Sequence, residues 1–134
     1  MIKGLDHIGV AVKDLDSSLK KWQDALSLEV FGVEEVEGRG VKVAHLGLPG
    51  GGAVELISPS KLDSPIDNFL RKRGEGIHHI CLEVEDISRF ILDLKEKGIE
   101  FVDDKPGVGA GGSQTVFLHP KALNGVLLEL KQKA

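Results

Sequence analysis

The chain has 134 residues, 41% of them hydrophobic and 28% charged. That is the size and composition of one compact domain with a sizeable core. Its net charge of -4 argues against nucleic acid as the main partner, because phosphate binding needs a basic surface. No apolar run nears the roughly 20 residues that span a bilayer, the first residues lack the apolar core of a signal peptide, and the one cysteine, Cys81, cannot form an internal disulfide. These features predict a cytoplasmic protein with no membrane partner.

Taken in chain order, residues 4–13 alternate, with Leu5, His7, Gly9 and Ala11 on one face, and predict a first strand. Asp14 or Asp16 is placed to cap a helix in which Leu15, Leu19, Trp22 and Leu26 recur at helical spacing. Strands follow at 29–36, 41–48 and, after the turn Gly50-Gly51-Gly52, at 53–58. Pro59, Pro65, Gly74 and Gly76 bracket a short connector helix over 66–73. The order then restarts: strand 77–84, helix 87–97 ended by Gly98, strand 99–103, a glycine loop, and strands 114–118 and 126–131. The fold class is therefore α+β, a single domain over 1–134 built from paired β-α-β-β-β modules at about 4–58 and 77–131.

The two modules also repeat their chemistry. Leu5-Asp6-His7-Ile8-Gly9 opens one and Ile77-His78-His79-Ile80-Cys81 opens the other; each later carries an acid in an apolar strand, Glu55 in Ala-Val-Glu-Leu-Ile and Glu129 in Val-Leu-Leu-Glu-Leu. The histidines His7 and His79 lie about 72 positions apart and the two acids about 74, the mark of an internal repeat. Taken singly, either acid fits a solvated strand face equally well, and His7 alone reads more readily as a structural histidine. Four such side chains at equivalent places point instead to a divalent metal held by His7, Glu55, His79 and Glu129. This donor set neutralises a doubly charged ion and suits Co, Ni, Mn, Zn or Fe. His78 points to the opposite strand face, His45 lines the expected cleft, and Cys81 reads as a buried, inert thiol.

These residues carry a resemblance. The chain resembles the vicinal oxygen chelate superfamily, which includes glyoxalase I, extradiol dioxygenases and antibiotic-resistance proteins. Within it the blocks Asp63-Ser64-Pro65-Ile66, Gly74-Glu75-Gly76-Ile77-His78-His79-Ile80, Gly107-Val108-Gly109-Ala110-Gly111-Gly112, Phe117-Leu118-His119-Pro120-Lys121 and Gly125-Val126-Leu127-Leu128-Glu129-Leu130 are similar to those of methylmalonyl-CoA epimerases. The resemblance implies a homodimer, a divalent ion often found as cobalt, His7, Glu55, His79 and Glu129 as its ligands, and interconversion of (R)- and (S)-methylmalonyl-CoA in propionate metabolism. One departure stands out. Some family members carry a glutamate in the third strand and a glutamine at the position of Glu55; here the third-strand position is Val43. A second base is thus missing from that strand or has moved.

Epimerisation removes a proton from one face of C2 and returns it on the other, which two bases on opposite sides accomplish most directly. Glu129 and Glu55 are the expected catalytic pair, with His45 as the alternative base. Backbone N–H groups at Gly111 and Gly112 are expected to approach an anionic carboxylate or carbonyl, although a plain turn explains the glycines as well. His119 and Lys121 are expected to contact substrate, Lys121 through a CoA phosphate. Two other readings share the scaffold: a glyoxalase-I-like lactoylglutathione lyase, and a non-catalytic protein that sequesters small molecules.

Overall fold

The computed structural model describes residues 1–103 and 105–134. It divides into two compact units, one of residues 7–78 and one of residues 1–6 with 79–134. Among the described residues the elements are mixed strands and three α-helices, the α+β class that the sequence predicts.

The first unit contains the later part of β1 (Ile2–Ala11), then α1 (Leu15–Leu26), β2 (Glu29–Val36), β3 (Val41–Gly47), β4 (Ala53–Pro59) and α2 (Pro65–Arg73). Its strands run in the order β2-β3-β4-β1. The β1–β4 pair is parallel and the other two are antiparallel. Asp14 caps α1 by accepting from the Ser17 N–H at 3.0 Å, and Ser27 ends the helix in the left-handed conformation. Leu15, Leu19 and Trp22 pack with Val12, Ala44, Leu46 and Leu56. Leu26 continues the helical spacing but is exposed; it is the last helical residue, where the chain turns away at Ser27.

Ser64 caps α2 through the Asp67 N–H, Pro65 follows at the first position, and three basic residues, Arg71 to Arg73, complement the dipole of its last turn. Ile66 and Leu70 of this helix cover a second apolar cluster with Ala11, Val41, Val43 and Ile57. Val43 is thus a core residue under α2.

The second unit contains most of β5 (Gly76–Val84), then α3 (Ile87–Glu96), β6 (Gly107–Val108), β7 (Gln114–Leu118) and β8 (Leu128–Gln132). The order is β5-β8-β7-β6, with β5–β8 parallel. Asp86 caps α3, and Ile87 and Ile91 pack on Val84, Val116, Leu118 and Leu130. Residues 1–6 are tied to this unit by the Lys131–Asp6 ion pair at 3.1 Å and by the Glu85 N–H donating to the Met1 carbonyl.

One expected strand does not form. Over 99–103 only Phe101 makes an isolated bridge, to Leu118, and the ladder partner of β7 is the two-residue β6 inside the glycine loop. After Gly98, at φ 78, the Ile99 N–H turns back to the Leu94 carbonyl. Pro106, which has no N–H to offer, stands just before β6. The last strand is also displaced: residues 126–127 lead in from a turn, and β8 starts at Leu128.

Candidate metal centre and active site

In the first unit Glu55 sits in β4 among Leu56, Ile57 and Ser58, all buried, and is itself 4% exposed. Burying a carboxylate without donors costs several kcal/mol, so its partners decide what it does. The parallel β1–β4 register pairs Gly9 with Glu55. That puts His7, two residues earlier on the same strand face, beside the acid, with Nδ1 3.2 Å from Glu55 Oε2. From the other side the antiparallel β3–β4 register pairs His45 with Glu55, and His45 Nδ1 lies 3.2 Å from the same oxygen. His45 Nε2 lies 3.0 Å from Glu34 Oε1 on β2. Toward an ionised carboxylate, each His45 nitrogen is the donor when it carries a proton. The hydrogen bond to Glu55 raises the His45 pKa most, against the opposing effect of burial, and Glu34 adds to the rise.

In the second unit the same construction recurs. The parallel β5–β8 register pairs Cys81 with Glu129, and His79, two residues earlier, places Nε2 3.2 Å from Glu129 Oε1. His79 is 6% and Glu129 3% exposed. The antiparallel β7–β8 register pairs Phe117 with Glu129. Its ring stands edge-on to the His79 imidazole, with centroids 5.5 Å apart. Burial pushes the Cys81 thiol far up, with Glu129 and Asp6 adding negative charge nearby. That is the inert thiol expected from sequence.

Each unit therefore presents one buried imidazole–carboxylate pair. The spacing of 3.2 Å in both pairs falls between the roughly 3.0 and 3.4 Å expected for neighbouring donors on octahedral and tetrahedral ions with bonds of about 2.1 Å. The donor chemistry, nitrogen and oxygen without thiolate, fits a divalent transition ion.

The other residues singled out from sequence fall elsewhere. His78 points away from His79, and its ring meets Phe69 edge-on at 4.9 Å. His119 caps the turn after β7: its Nδ1 accepts from the Lys121 N–H at 3.1 Å, and its Nε2 lies 3.9 Å from Glu100 Oε2. Lys121 lies in that same turn and is exposed. Gly111 and Gly112 adopt φ of 69 and 73 in the tight turn between β6 and β7, which requires glycine readily enough on conformational grounds. Sequence reasoning missed Glu34. It looked like one of several acids on an edge strand, and only the β2–β3 register shows that it reaches His45.

Comparison with known proteins identifies the family of the fold. Residues 6–117 match the Glyoxalase/Bleomycin resistance protein/Dioxygenase superfamily, and the chain belongs to it. The mitochondrial methylmalonyl-CoA epimerase of Mus musculus is 42% identical over 129 residues, covering 96% of this chain and 72% of that protein. The ethylmalonyl-CoA/methylmalonyl-CoA epimerase of Cereibacter sphaeroides is 41% identical over 134 residues, covering 98% and 99%. A variant of the Streptomyces coelicolor methylmalonyl-CoA epimerase, solved in complex with 2-nitronate-propionyl-CoA, superposes with a TM-score of 0.92 at 37% identity over 100% of this chain and 99% of that one. Within the superfamily, then, the chain is a member of the methylmalonyl-CoA epimerase family.

Proposed function

We propose that this protein interconverts (R)- and (S)-methylmalonyl-CoA by moving the proton at C2, with a divalent ion, cobalt among the candidates, held by His7, Glu55, His79 and Glu129. The observation that carries the reading is the repeated register: in each unit a buried histidine stands two residues before the strand partner of a buried glutamate, at the same 3.2 Å. Relatives at about 40% identity that bear the epimerase name support the reaction.

C2 of the substrate lies between a thioester and a carboxylate, so loss of its proton gives an enolate. A bound divalent ion supplies positive charge that lowers the cost of that anion. Glu129 and Glu55 are the bases that take and return the proton. The loop carrying Gly111 and Gly112 is the segment assigned to the substrate's anionic oxygen, although the Gly112 N–H donates within the turn to the Gly109 carbonyl at 3.2 Å, and Lys121 and His119 are assigned to the CoA moiety. The working protein is a cytoplasmic homodimer acting in propionate metabolism.

The test is C2 exchange. Methylmalonyl-CoA in deuterated buffer gains deuterium at C2 with the protein present, and a chelator abolishes the gain. Absence of exchange, with lactoylglutathione formed from the glutathione hemithioacetal instead, overturns the reading in favour of a glyoxalase-I-like lyase. Absence of both, with a metal-free protein insensitive to chelator, favours sequestration. The Cereibacter relative, named for ethylmalonyl-CoA as well and matched over 99% of its length, supports a second reading in which the longer acyl group is also accepted. The same assay on ethylmalonyl-CoA decides it.

A further inference from the structure

The two halves of the repeat differ at one register position. Opposite Glu129 stands Phe117, an apolar ring that packs on His79. Opposite Glu55 stands His45, a donor, and behind it Glu34. We propose that His45, anchored by Glu34, is a positioning residue that fixes the Glu55 carboxylate for metal binding.

The argument is geometric. A glutamate has a terminal torsion that is broad and roughly two-fold, so a ligating carboxylate in a strand needs an external contact to set its plane. His45 Nδ1 provides it at 3.2 Å, on the oxygen that His7 Nδ1 also approaches. The imidazole is in turn held from behind: its Nε2 meets Glu34 Oε1 at 3.0 Å. Glu34 is paired in register with Val43, not with His45, so it reaches diagonally across β2 and β3 to make this contact. The strand slips its register between Val30 and Gly32, just before Glu34, and a bulge of this kind re-aims the side chains that follow it. Glu34, His45 and Glu55 thus form a line across three neighbouring strands that ends on a metal ligand. Partners that hydrogen-bond a ligand in this way set its orientation, and their loss typically weakens metal affinity by about 10- to 100-fold. The inference rests on the metal reading given above.

The test uses full-length protein stripped of metal and titrated with Co(II), read by calorimetry and by the visible absorption of the bound ion. His45→Phe, which copies the Phe117 side of the repeat, is expected to weaken Co(II) binding by at least about 10-fold and to alter the visible spectrum. His45→Asn carries an amide nitrogen close to where Nδ1 stands, and is expected to stay within about threefold of wild type, a rescue that mere space-filling does not give. Glu34→Ala, on a partly exposed side chain, weakens binding less, and the double variant Glu34→Ala/His45→Phe binds no worse than His45→Phe alone, since both act through one line of contacts. Equal affinity and an unchanged spectrum in His45→Phe, or His45→Asn as weak as His45→Phe, overturns the proposal. If His7→Ala abolishes binding while His45→Phe leaves it intact, this inference alone fails. If wild-type protein binds no divalent ion, the metal reading fails and this inference with it.

Discussion

His45 and Phe117 occupy the same place in the two halves of the molecule, each the antiparallel strand partner of a buried glutamate. The shared frame around them is close: a parallel partner strand, a histidine two residues before the partnered position, and a His–Glu distance of 3.2 Å in both. What differs is what faces the acid. Glu55 meets a second imidazole and, through it, a second carboxylate; Glu129 has an aromatic wall. A duplicated module has thus kept its donors and let their surroundings diverge. Two chemically identical carboxylates thus stand in different surroundings.

The first prediction concerns the acids themselves. Glu55→Gln keeps an oxygen donor, and some relatives by resemblance carry glutamine at this position, so much of the metal affinity survives. The base is lost, and Val43 under α2 offers no substitute on the third strand. C2 exchange in methylmalonyl-CoA therefore falls by about 10²- to 10⁴-fold, the usual worth of a positioned acid or base. Glu129→Gln is expected to fall by a similar factor. Nearly normal exchange in Glu55→Gln, measured with metal content confirmed, removes Glu55 from the proton path and leaves it as a ligand alone.

Much of this was legible before any coordinates. The alternation around His7 and the capping choice of Asp14 or Asp16 are local signals, and the strand and helix they predict form within a residue or two, with Asp14 as the cap. The repeat of His7 and Glu55 by His79 and Glu129 survives as matching register, because strand period and apolar pattern leave little freedom in which residues face inward. Three features escaped. The stretch at 99–103 has strand-like composition, but with a glycine turn before it and Pro106 after it, its pairing with β7 stays at one bridge at Phe101, flanked by backbone bonds from Val102 to Phe117 and from His119 to Glu100. Leu26 fits the helical stripe and is nevertheless exposed, since the spacing does not reveal where the helix leaves the sheet. Glu34 is a contact between strands through a displaced register, and no pattern within β2 announces a partner on β3.

Cys81 gives a prediction about reactivity. Its side chain is fully buried, burial holds the thiol well above its ordinary pKa, and Glu129 and Asp6 deepen the effect. Only the thiolate attacks alkylating reagents at a useful rate. Native protein at about pH 8 is therefore expected to take up almost no iodoacetamide over a time in which denaturant-unfolded protein is labelled completely. Cys81→Ala should retain C2 exchange within about threefold, because the register partner in the other half, Gly9, does without a thiol. Rapid labelling of the native state, or loss of exchange in Cys81→Ala, contradicts the inert role.

Two glycines separate tight packing from apparent crowding. A methyl group at Gly109 would stand 2.9 Å from Thr115 Cγ2, and Thr115 is buried and β-branched, so it cannot swing aside. Gly109→Ala is expected to destabilise by about 1–3 kcal/mol, seen as a thermal midpoint lower by roughly 3–5 °C per kcal/mol. A methyl at Gly47 would overlap the Phe31 ring, but that ring is 71% exposed and free to rotate outward. Gly47→Ala should therefore change stability by no more than about 0.5 kcal/mol. Calorimetry on the two variants reads the contrast directly, and equal losses in both would show that Phe31 is held in place more firmly than its exposure suggests.

The last prediction follows from the raised pKa of His45 in protein stripped of metal. Its ordinary value is 6.5, and the hydrogen bond to Glu55, with Glu34 behind it, moves it upward. A folded-state pKa above the unfolded one means that the folded state binds the proton more tightly. The resulting stabilisation is fully present below 6.5 and is lost as the pH rises through the folded value. His45→Phe has no such proton to hold. The gap in thermal midpoint between metal-free wild type and metal-free His45→Phe should accordingly be widest near about pH 6 and shrink toward about pH 8.5. In parallel, the His45 ring resonances in an NMR titration should move with a midpoint above 6.5. A gap that stays constant or widens with pH, or a ring that titrates below 6.5, would mean that one of the two carboxylates facing His45 carries the proton instead of the imidazole.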